Sequence, residues 1–147
     1  MELNTASAVV SLAKQLEEEG IKLYEDLAQR LVKGREIWLS FARENRRNVI
    51  QIERAYYGVI TDAIEGCFAF NMNADEYASK TRLKERASYS DVLSQALEME
   101  ERTIRFYSDA AEQSASLLAD VPRVFTMVAK KRGDRCSKLK SLLVNNG

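Results

Sequence analysis

The sequence of 147 residues contains no histidine. This absence excludes the side chain that enzymes use most often as a general base near neutral pH. It also excludes Ser-His and Cys-His nucleophile pairs and imidazole metal ligands. Any chemistry would therefore have to use carboxylate, tyrosine, lysine or cysteine side chains.

Cysteine is also scarce, with only Cys67 and Cys136 present. Two cysteines do not make a disulfide framework, and without a second pair or any histidine they do not make a zinc site. Both are predicted to be packed thiols. An alternative for Cys136 is a lowered pKa with some redox reactivity, because Arg135 precedes it.

The chain has no excess of charge and no long apolar run. Its 22 basic and 22 acidic side chains give a net charge of zero, so no overall field attracts nucleic acid or an anionic membrane. No segment approaches the roughly 20 apolar residues of a membrane span, and the early "AVVSLA" is too short for the core of a secretion signal. We therefore expect a cytoplasmic protein with neither a nucleic-acid nor a membrane partner.

Proline and glycine are rare, with one and six residues respectively, and apolar residues recur at spacings of three and four. This pattern predicts a single all-α domain over residues 1–147. Gly34 is a candidate C-terminal stop for the first helix. Ser88 and Asp91 form a candidate capping box for the third, and Asp120 and Pro122 suit the start of the fourth. The predicted helices run from about Ala6 to Leu31, Arg35 to Phe68, Ser88 to Leu118 and Asp120 to Leu143.

The helices form two hairpins joined by a longer connection at about 70–88, which predicts a four-helix bundle with a crossover. The two halves resemble each other. Placing "LEEEGIKLYEDLAQ" over "MEERTIRFYSDAAE" aligns Glu17 with Glu100 and Tyr24 with Tyr107. Similarly, "FARENRRNVIQI" aligns with "VAKKRGDRCSKL". A pseudo-twofold axis would then make matched polar residues face each other across the core.

Polar residues interrupt the apolar stripe of each predicted helix. The six that should point to the middle of the bundle are Glu17, Asn45, Asn48, Glu100, Arg132 and Arg135. Burying an unpaired charge costs several kcal/mol, but two carboxylates can balance two guanidinium groups, and the amides can complete the hydrogen bonds. Alternatively, some of these side chains, Arg135 in particular, extend to solvent.

The repeated pattern resembles the rubrerythrin type of the ferritin-like superfamily over nearly the whole chain, from about Ala6 to Leu143. "EEEGIKLY" and "EMEERTIRFY" resemble the family's Glu followed seven residues later by Tyr. "ARENRRN" and "AKKRGDR" match the family's Ala and Glu-x-x-His frame in position. They carry Asn45 and Asn48, and then Arg132 and Arg135, where that frame has Glu and His.

The resemblance implies a ferritin-like fold with a degenerate di-iron site, in which Tyr24 and Tyr107 have supporting roles. Two of four carboxylates and neither imidazole remain, and two guanidinium groups would repel metal dications. We expect no metal, no cofactor and no catalytic residue. The expected role is structural, regulatory or protein-binding, with a homodimer as the first candidate assembly and an unknown protein partner as the second.

Two further interpretations remain open from the sequence beside the expected protein-binding role. An iron-dependent oxidoreductase or peroxidase could use the off-pattern carboxylates Glu18, Glu44 or Glu101. The basic segment "KKRGDRCSKLK" could hold phosphate, nucleic acid or another anion, although basic residues near a helix C-terminus also complement its dipole. The expected protein-binding role is also favoured by aromatic residues on the second helix, although a wide buried face would explain many of them, namely Trp38, Tyr56, Tyr57 and Phe68.

Overall fold

A computed structural model describes residues 2–59, 70–78, 87–114 and 120–146. Within these ranges the chain forms four long helices, α1 (Ala6–Arg30), α2 (Arg35–Val59), α3 (Tyr89–Ser114) and α4 (Val121–Asn146). The prediction of an all-helical chain is therefore confirmed. Cys67 and the predicted extensions of the second helix to Phe68 and of the third to Leu118 lie outside the described residues.

The helices pack as a bundle of two hairpins. α1 lies along α2 and α3 lies along α4, while α2 also contacts α4 and α1 contacts α3. Two very short strands, β1 (Glu2–Leu3) and β2 (Met72–Asn73), pair antiparallel, and a 3-10 turn at Ala74–Glu76 follows β2. Two-residue strands are too short to produce a detectable period-two pattern, so the sequence did not predict them. None of the described helices has the length and apolar character needed to cross a membrane.

Of two predicted helix ends, the structure confirms the start of α3 and contradicts the stop of α1. Ser88 Oγ accepts a hydrogen bond from the Asp91 N–H at 3.1 Å, and Asp91 Oδ2 accepts one from the Ser88 N–H at 3.3 Å, so the capping box of α3 is confirmed. The interpretation of Gly34 as the stop of α1 was wrong. α1 ends at Arg30, and Gly34 has a left-handed φ of 79° immediately before α2, where its carbonyl accepts from the Trp38 N–H.

The apolar core is divided into two clusters with a polar layer between them. The first cluster joins the start of α1 to the ends of α2 and α3 and the start of α4, as Val9, Tyr56, Ala110 and Phe125 illustrate. The second joins the opposite ends, as Leu27, Trp38, Leu93 and Leu139 illustrate. Along every helix the six polar positions fall between the residues of these two clusters. The fold therefore places charged groups at mid-height, where apolar residues border them above and below.

Candidate functional site

All six polar residues predicted to face inward are buried. The buried side chains are Glu17, Asn45, Asn48, Glu100, Arg132 and Arg135, of which only Arg135 retains any exposed area, at 2 %. Their inward orientation, predicted from the 3.6-residue periodicity, is confirmed. The alternative that Arg135 extends to solvent is wrong, because that side chain has three sets of partners inside the bundle.

Glu17 on α1 accepts hydrogen bonds from three other helices. One oxygen, Oε1, accepts from the amide groups of Asn45 at 3.3 Å and Asn48 at 2.9 Å. The other, Oε2, accepts from the Tyr107 hydroxyl at 2.7 Å and from Nε and Nη2 of Arg132 at 3.1 and 2.7 Å. Both carboxylate oxygens are thus satisfied without a metal ion.

Glu100 on α3 is held in a similar way by a different set of donors. Its Oε1 accepts from the Tyr24 hydroxyl at 2.6 Å and from Arg135 Nη1 at 3.1 Å. Its Oε2 accepts from Arg132 Nη1. Because Arg132 also bonds Glu17, its planar guanidinium group links the two buried carboxylates through separate nitrogen atoms. Arg132 is therefore the central residue of the site.

Arg135 connects the buried layer to the edge of the bundle. Its Nη2 donates to the Phe41 carbonyl at 3.0 Å and its Nε donates to Glu44 Oε1 at 2.9 Å. The Glu44 side chain is 30 % exposed. The Arg135 guanidinium carbon also lies 5.0 Å from the Phe41 ring centroid and 5.7 Å from that of Tyr24. Glu44 is thus a third carboxylate of the network, and its adjacency to the core position Asn45 was the available sequence signal.

The two tyrosines are bonded in a crossed arrangement. Tyr24 on α1 donates to Glu100 on α3, and Tyr107 on α3 donates to Glu17 on α1. Burial, followed by the neighbouring carboxylate that accepts each hydrogen bond, raises the pKa of both phenols well above the ordinary value of 10.0. Both hydroxyls therefore remain protonated donors over the physiological pH range.

The two amides complete the hydrogen bonds of one carboxylate. The NH₂ groups of Asn45 and Asn48 both donate to Glu17. Their Oδ1 atoms are buried and accept no hydrogen bond from any described residue. Gly20 makes this arrangement possible, because a Cβ atom at that position would lie 2.4 Å from Asn45 Nδ2. The close approach of α1 to α2 thus depends on a residue without a side chain.

The charges of the network stabilise one another. Burial of the Glu100 carboxyl opposes its ionisation, but the positive charges of Arg132 and Arg135 outweigh that effect and lower the pKa of Glu100. Burial of Arg132 likewise opposes its positive charge, but Glu100 and Glu17 raise the pKa of its guanidinium well above the ordinary range. At neutral pH, Glu100 and Arg132 are therefore ionised.

These residues do not fit a pair of iron ions. Such a centre needs several anionic oxygen and imidazole donors, whereas each carboxylate oxygen of Glu17 and Glu100 is already bonded to a protein donor. The described residues contain no group of three or more His, Cys, Asp or Glu side chains arranged to hold a metal ion. Among the off-pattern carboxylates, Glu18 and Glu101 are exposed and Glu44 is paired with Arg135. The side chains of Glu18 and Glu101 are directed away from the centre because one residue along a helix rotates a side chain by about 100°.

Cys136 is a buried thiol. Burial, together with the negative charges of Glu100 and Glu101, raises its pKa to about 11. The suggestion that Arg135 lowers this pKa was wrong, because the Arg135 guanidinium is bonded to two carboxylates and a carbonyl. The thiol is therefore protonated at neutral pH and is a poor nucleophile.

The basic segment of α4 is divided between the core and the surface. Arg132 and Arg135 are buried in the network, whereas Lys130, Lys138 and Lys140 are exposed. The inward direction of the two arginines removes the strongest donors of a phosphate-binding stripe.

Comparison of the chain with protein-family models, with curated proteins and with solved structures gave no match.

Proposed function

We propose that this protein is a non-catalytic bundle of the ferritin-like, rubrerythrin type, in which an ion-pair network replaces the di-iron centre. In this proposal the centre of the bundle is a structural element. The biological role is then carried by the outer surface, through binding of another protein chain.

Contacts between α1 and α3 support the ferritin-like arrangement. Tyr24 bonds Glu100 while the earlier residue Glu17 bonds the later residue Tyr107, as expected when the two helices are antiparallel. In the first hairpin, Glu25 pairs with Arg46 while the earlier residue Lys14 pairs with the later residue Glu53, so α1 and α2 are also antiparallel. The pairing of both α2 and α3 antiparallel to α1 supports a parallel relation of α2 to α3.

The helix ends support a crossover connection between α2 and α3. Tyr56, near the end of α2, belongs to the same apolar cluster as Val9 at the start of α1. Tyr89, which begins α3, packs against Trp38 at the start of α2, with ring centroids 6.5 Å apart. A connection that joins these opposite ends would run the length of the bundle, as in the ferritin-like layout.

The single observation that carries the proposal is the position of Arg132 between Glu17 and Glu100. In the family frame, position 132 corresponds to a Glu that would supply an anionic ligand. Here a cation occupies the position and pairs with both remaining carboxylates. A metal dication in the same volume would have to displace a guanidinium group from three charge-assisted hydrogen bonds, each worth about 1.5–3 kcal/mol.

A peroxidase assay tests the loss of family activity. The purified chain would be incubated with ferrous iron under nitrogen, freed of unbound metal and supplied with hydrogen peroxide and a reducing dye. We expect peroxide consumption no faster than that of the same amount of free iron. Catalytic turnover that exceeds free iron and that disappears in a Glu17→Gln, Glu100→Gln variant would contradict the proposal.

A further inference from the structure

Charge is strongly segregated between the two sides of this electrically neutral chain. The helices α1 and α3 together carry eleven acidic and five basic side chains. The helices α2 and α4 together carry four acidic and twelve basic side chains. Removing the buried Glu17, Glu100, Arg132 and Arg135 leaves both imbalances in place, so each side has its own field at the surface.

The outward face of α2 combines this positive charge with exposed apolar residues. Leu39, Ile50 and Tyr57 are 37 %, 50 % and 63 % exposed and recur on one side of the helix. The arginines interleaved with them are exposed: Arg43, Arg46, Arg47 and Arg54. We call these seven residues the α2 stripe. Tyr57 is the exposed member of the aromatic set predicted from the sequence, since Trp38 and Tyr56 are buried and Phe68 lies outside the described residues.

The α2 stripe has the composition of a binding surface. Protein interfaces are enriched in arginine and in aromatic residues. Arg46 is engaged by Glu25 at 2.8 Å, and the nearby Glu53 pairs with Lys14 at 3.4 Å. Glu53, an acid next to the stripe on the same helix, is thus directed toward α1.

A groove between α1 and α3 has the complementary character. It has a volume of about 910 Å³, and its floor is apolar, with Leu12, Leu16, Leu23 and Met99. Its rim carries the acidic residues Glu19, Asp75 and Glu98 together with Lys22 and Arg102. The groove exists because α1 and α3 contact each other much less than the helices within each hairpin.

The stripe and the groove also match in length. From Leu39 to Tyr57 the α2 stripe extends about 27 Å along its helix, at 1.5 Å per residue. The groove extends from Ala8 to Leu23 on α1, which is about 23 Å by the same measure. An amphipathic helix face laid into an apolar groove is a recurring mode of protein recognition.

We infer that the α2 stripe of one copy docks into the α1–α3 groove of a second copy. The two surfaces are different, so the contact is head-to-tail and leaves one free stripe and one free groove at the ends of any open assembly. Arginines of the stripe meet the acidic rim, and Ile50 and Tyr57 meet the apolar floor. The inference rests on the proposed binding role of the outer surface and not on what occupies the centre of the bundle.

Mixing a stripe variant with a groove variant tests the inference by sedimentation velocity. The stripe variant is Ile50→Gln with Arg54→Gln, and the groove variant is Glu19→Lys with Glu98→Lys. All four positions are exposed, so folding should be retained, and circular dichroism would verify it. We expect wild-type protein to form oligomers that weaken with added salt, and each variant alone to associate at least about tenfold less strongly.

The mixture gives the decisive result. The stripe variant keeps its groove and the groove variant keeps its stripe, so an equimolar mixture should form one-to-one dimers and nothing larger. Lys130→Glu, a charge reversal on α4 outside both surfaces, should associate like wild type. Monomeric wild-type protein, or a mixture that remains monomeric, would overturn the inference.

Two other outcomes would also overturn the docking inference, and neither would bear on the proposal of a metal-free centre. Self-association that survives unchanged in both variants would place the contact elsewhere. Binding of a fluorescent single-stranded DNA oligomer that is lost in the stripe variant, with wild-type protein monomeric, would assign the stripe to a polyanion instead.

Discussion

Arg132 is the residue on which the buried charges depend. It has no exposed area and bonds both Glu17 and Glu100, so its removal would leave two carboxylates without their shared cation. Breaking a buried ion pair from one side typically costs about 3–5 kcal/mol. We expect Arg132→Leu to lower the free energy of unfolding by that amount in urea titrations.

Arg123→Leu provides the matched control for Arg132→Leu, because Arg123 lies on the same helix and is exposed. Its effect should stay within about 0.5 kcal/mol. If Arg132→Leu and Arg123→Leu lowered the free energy of unfolding equally, the ion pairs of Arg132 would contribute no more to stability than an exposed arginine on the same helix.

Gly20 and Gly133 offer a second matched pair at the residue scale. A Cβ atom on Gly20 would lie 2.4 Å from Asn45 Nδ2, whereas nothing lies within 4 Å of one on Gly133. Gly20→Ala should therefore destabilise the protein by about 1–3 kcal/mol through overpacking. Gly133→Ala should stabilise it by up to about 1 kcal/mol through helix propensity. Thermal unfolding would distinguish them, and a stabilising Gly20→Ala would contradict the close approach of Asn45.

At the scale of single elements, the capping box of α3 gives a direct prediction. Ser88 Oγ accepts from the Asp91 N–H, one of the amide groups that the first turn of a helix leaves unpaired. Ser88→Ala should cost about 1 kcal/mol of stability. Ser94→Ala, at an exposed position within the same helix, should be neutral or slightly stabilising. If both changes had the same effect on the urea midpoint, Ser88 would have no capping role.

Sequence periodicity predicted the helices and the inward direction of the network residues. It succeeded because apolar residues at three- and four-residue spacings define one face, and any polar residue on that face must point the same way. It also recovered the capping box, since that motif depends on residues only three apart. The short β1–β2 pair and the role of Gly34 were missed because neither leaves a repeated pattern.

The partners within the network could not be read from the sequence. Glu17 and Tyr24 lie on one helix about two turns apart, so each must find its partner on another helix. Which helix supplies it depends on how the hairpins are placed. In the structure Tyr24 bonds Glu100, and Tyr107 bonds Glu17. Glu44 is an additional partner of Arg135.

At the scale of the whole molecule, the network predicts a stability maximum between acid and alkaline limits. The pKa of Glu100 is lowered in the folded state, so the unfolded chain takes up that proton first as pH falls. The free energy of unfolding should therefore decrease as pH falls below the ordinary glutamate pKa of about 4.3, until the folded-state pKa is passed.

At high pH, stability is lost because tyrosine side chains release protons, whereas at low pH it is lost because Glu100 takes one up. The pKa values of Tyr24 and Tyr107 are raised in the folded state, so the unfolded chain loses these protons first. Stability from these two groups is complete below about pH 10 and is lost as pH rises toward their folded-state values. In urea titrations at several pH values, a Tyr24→Phe, Tyr107→Phe variant should be less stable at pH 7 and less sensitive to alkali. An unchanged alkaline slope would contradict the buried position of the phenols.

We propose that Arg132, Arg135, Asn45 and Asn48 occupy the positions that metal ligands hold in the rubrerythrin pattern. Restoring the family pattern tests it with four substitutions, Asn45→Glu, Asn48→His, Arg132→Glu and Arg135→His. A control variant with Gln instead of the two new Glu residues keeps the size of the side chains and removes their charge.

The measurement is the manganese content per chain after equilibration and removal of free metal, with circular dichroism on each variant. We predict about two ions in the restored variant, in line with dinuclear sites of this type, far fewer in the control and essentially none in the wild-type protein. Retention of near-stoichiometric metal by the wild-type protein, or a folded restored variant that binds no more than the control, would contradict the proposed replacement of metal ligands.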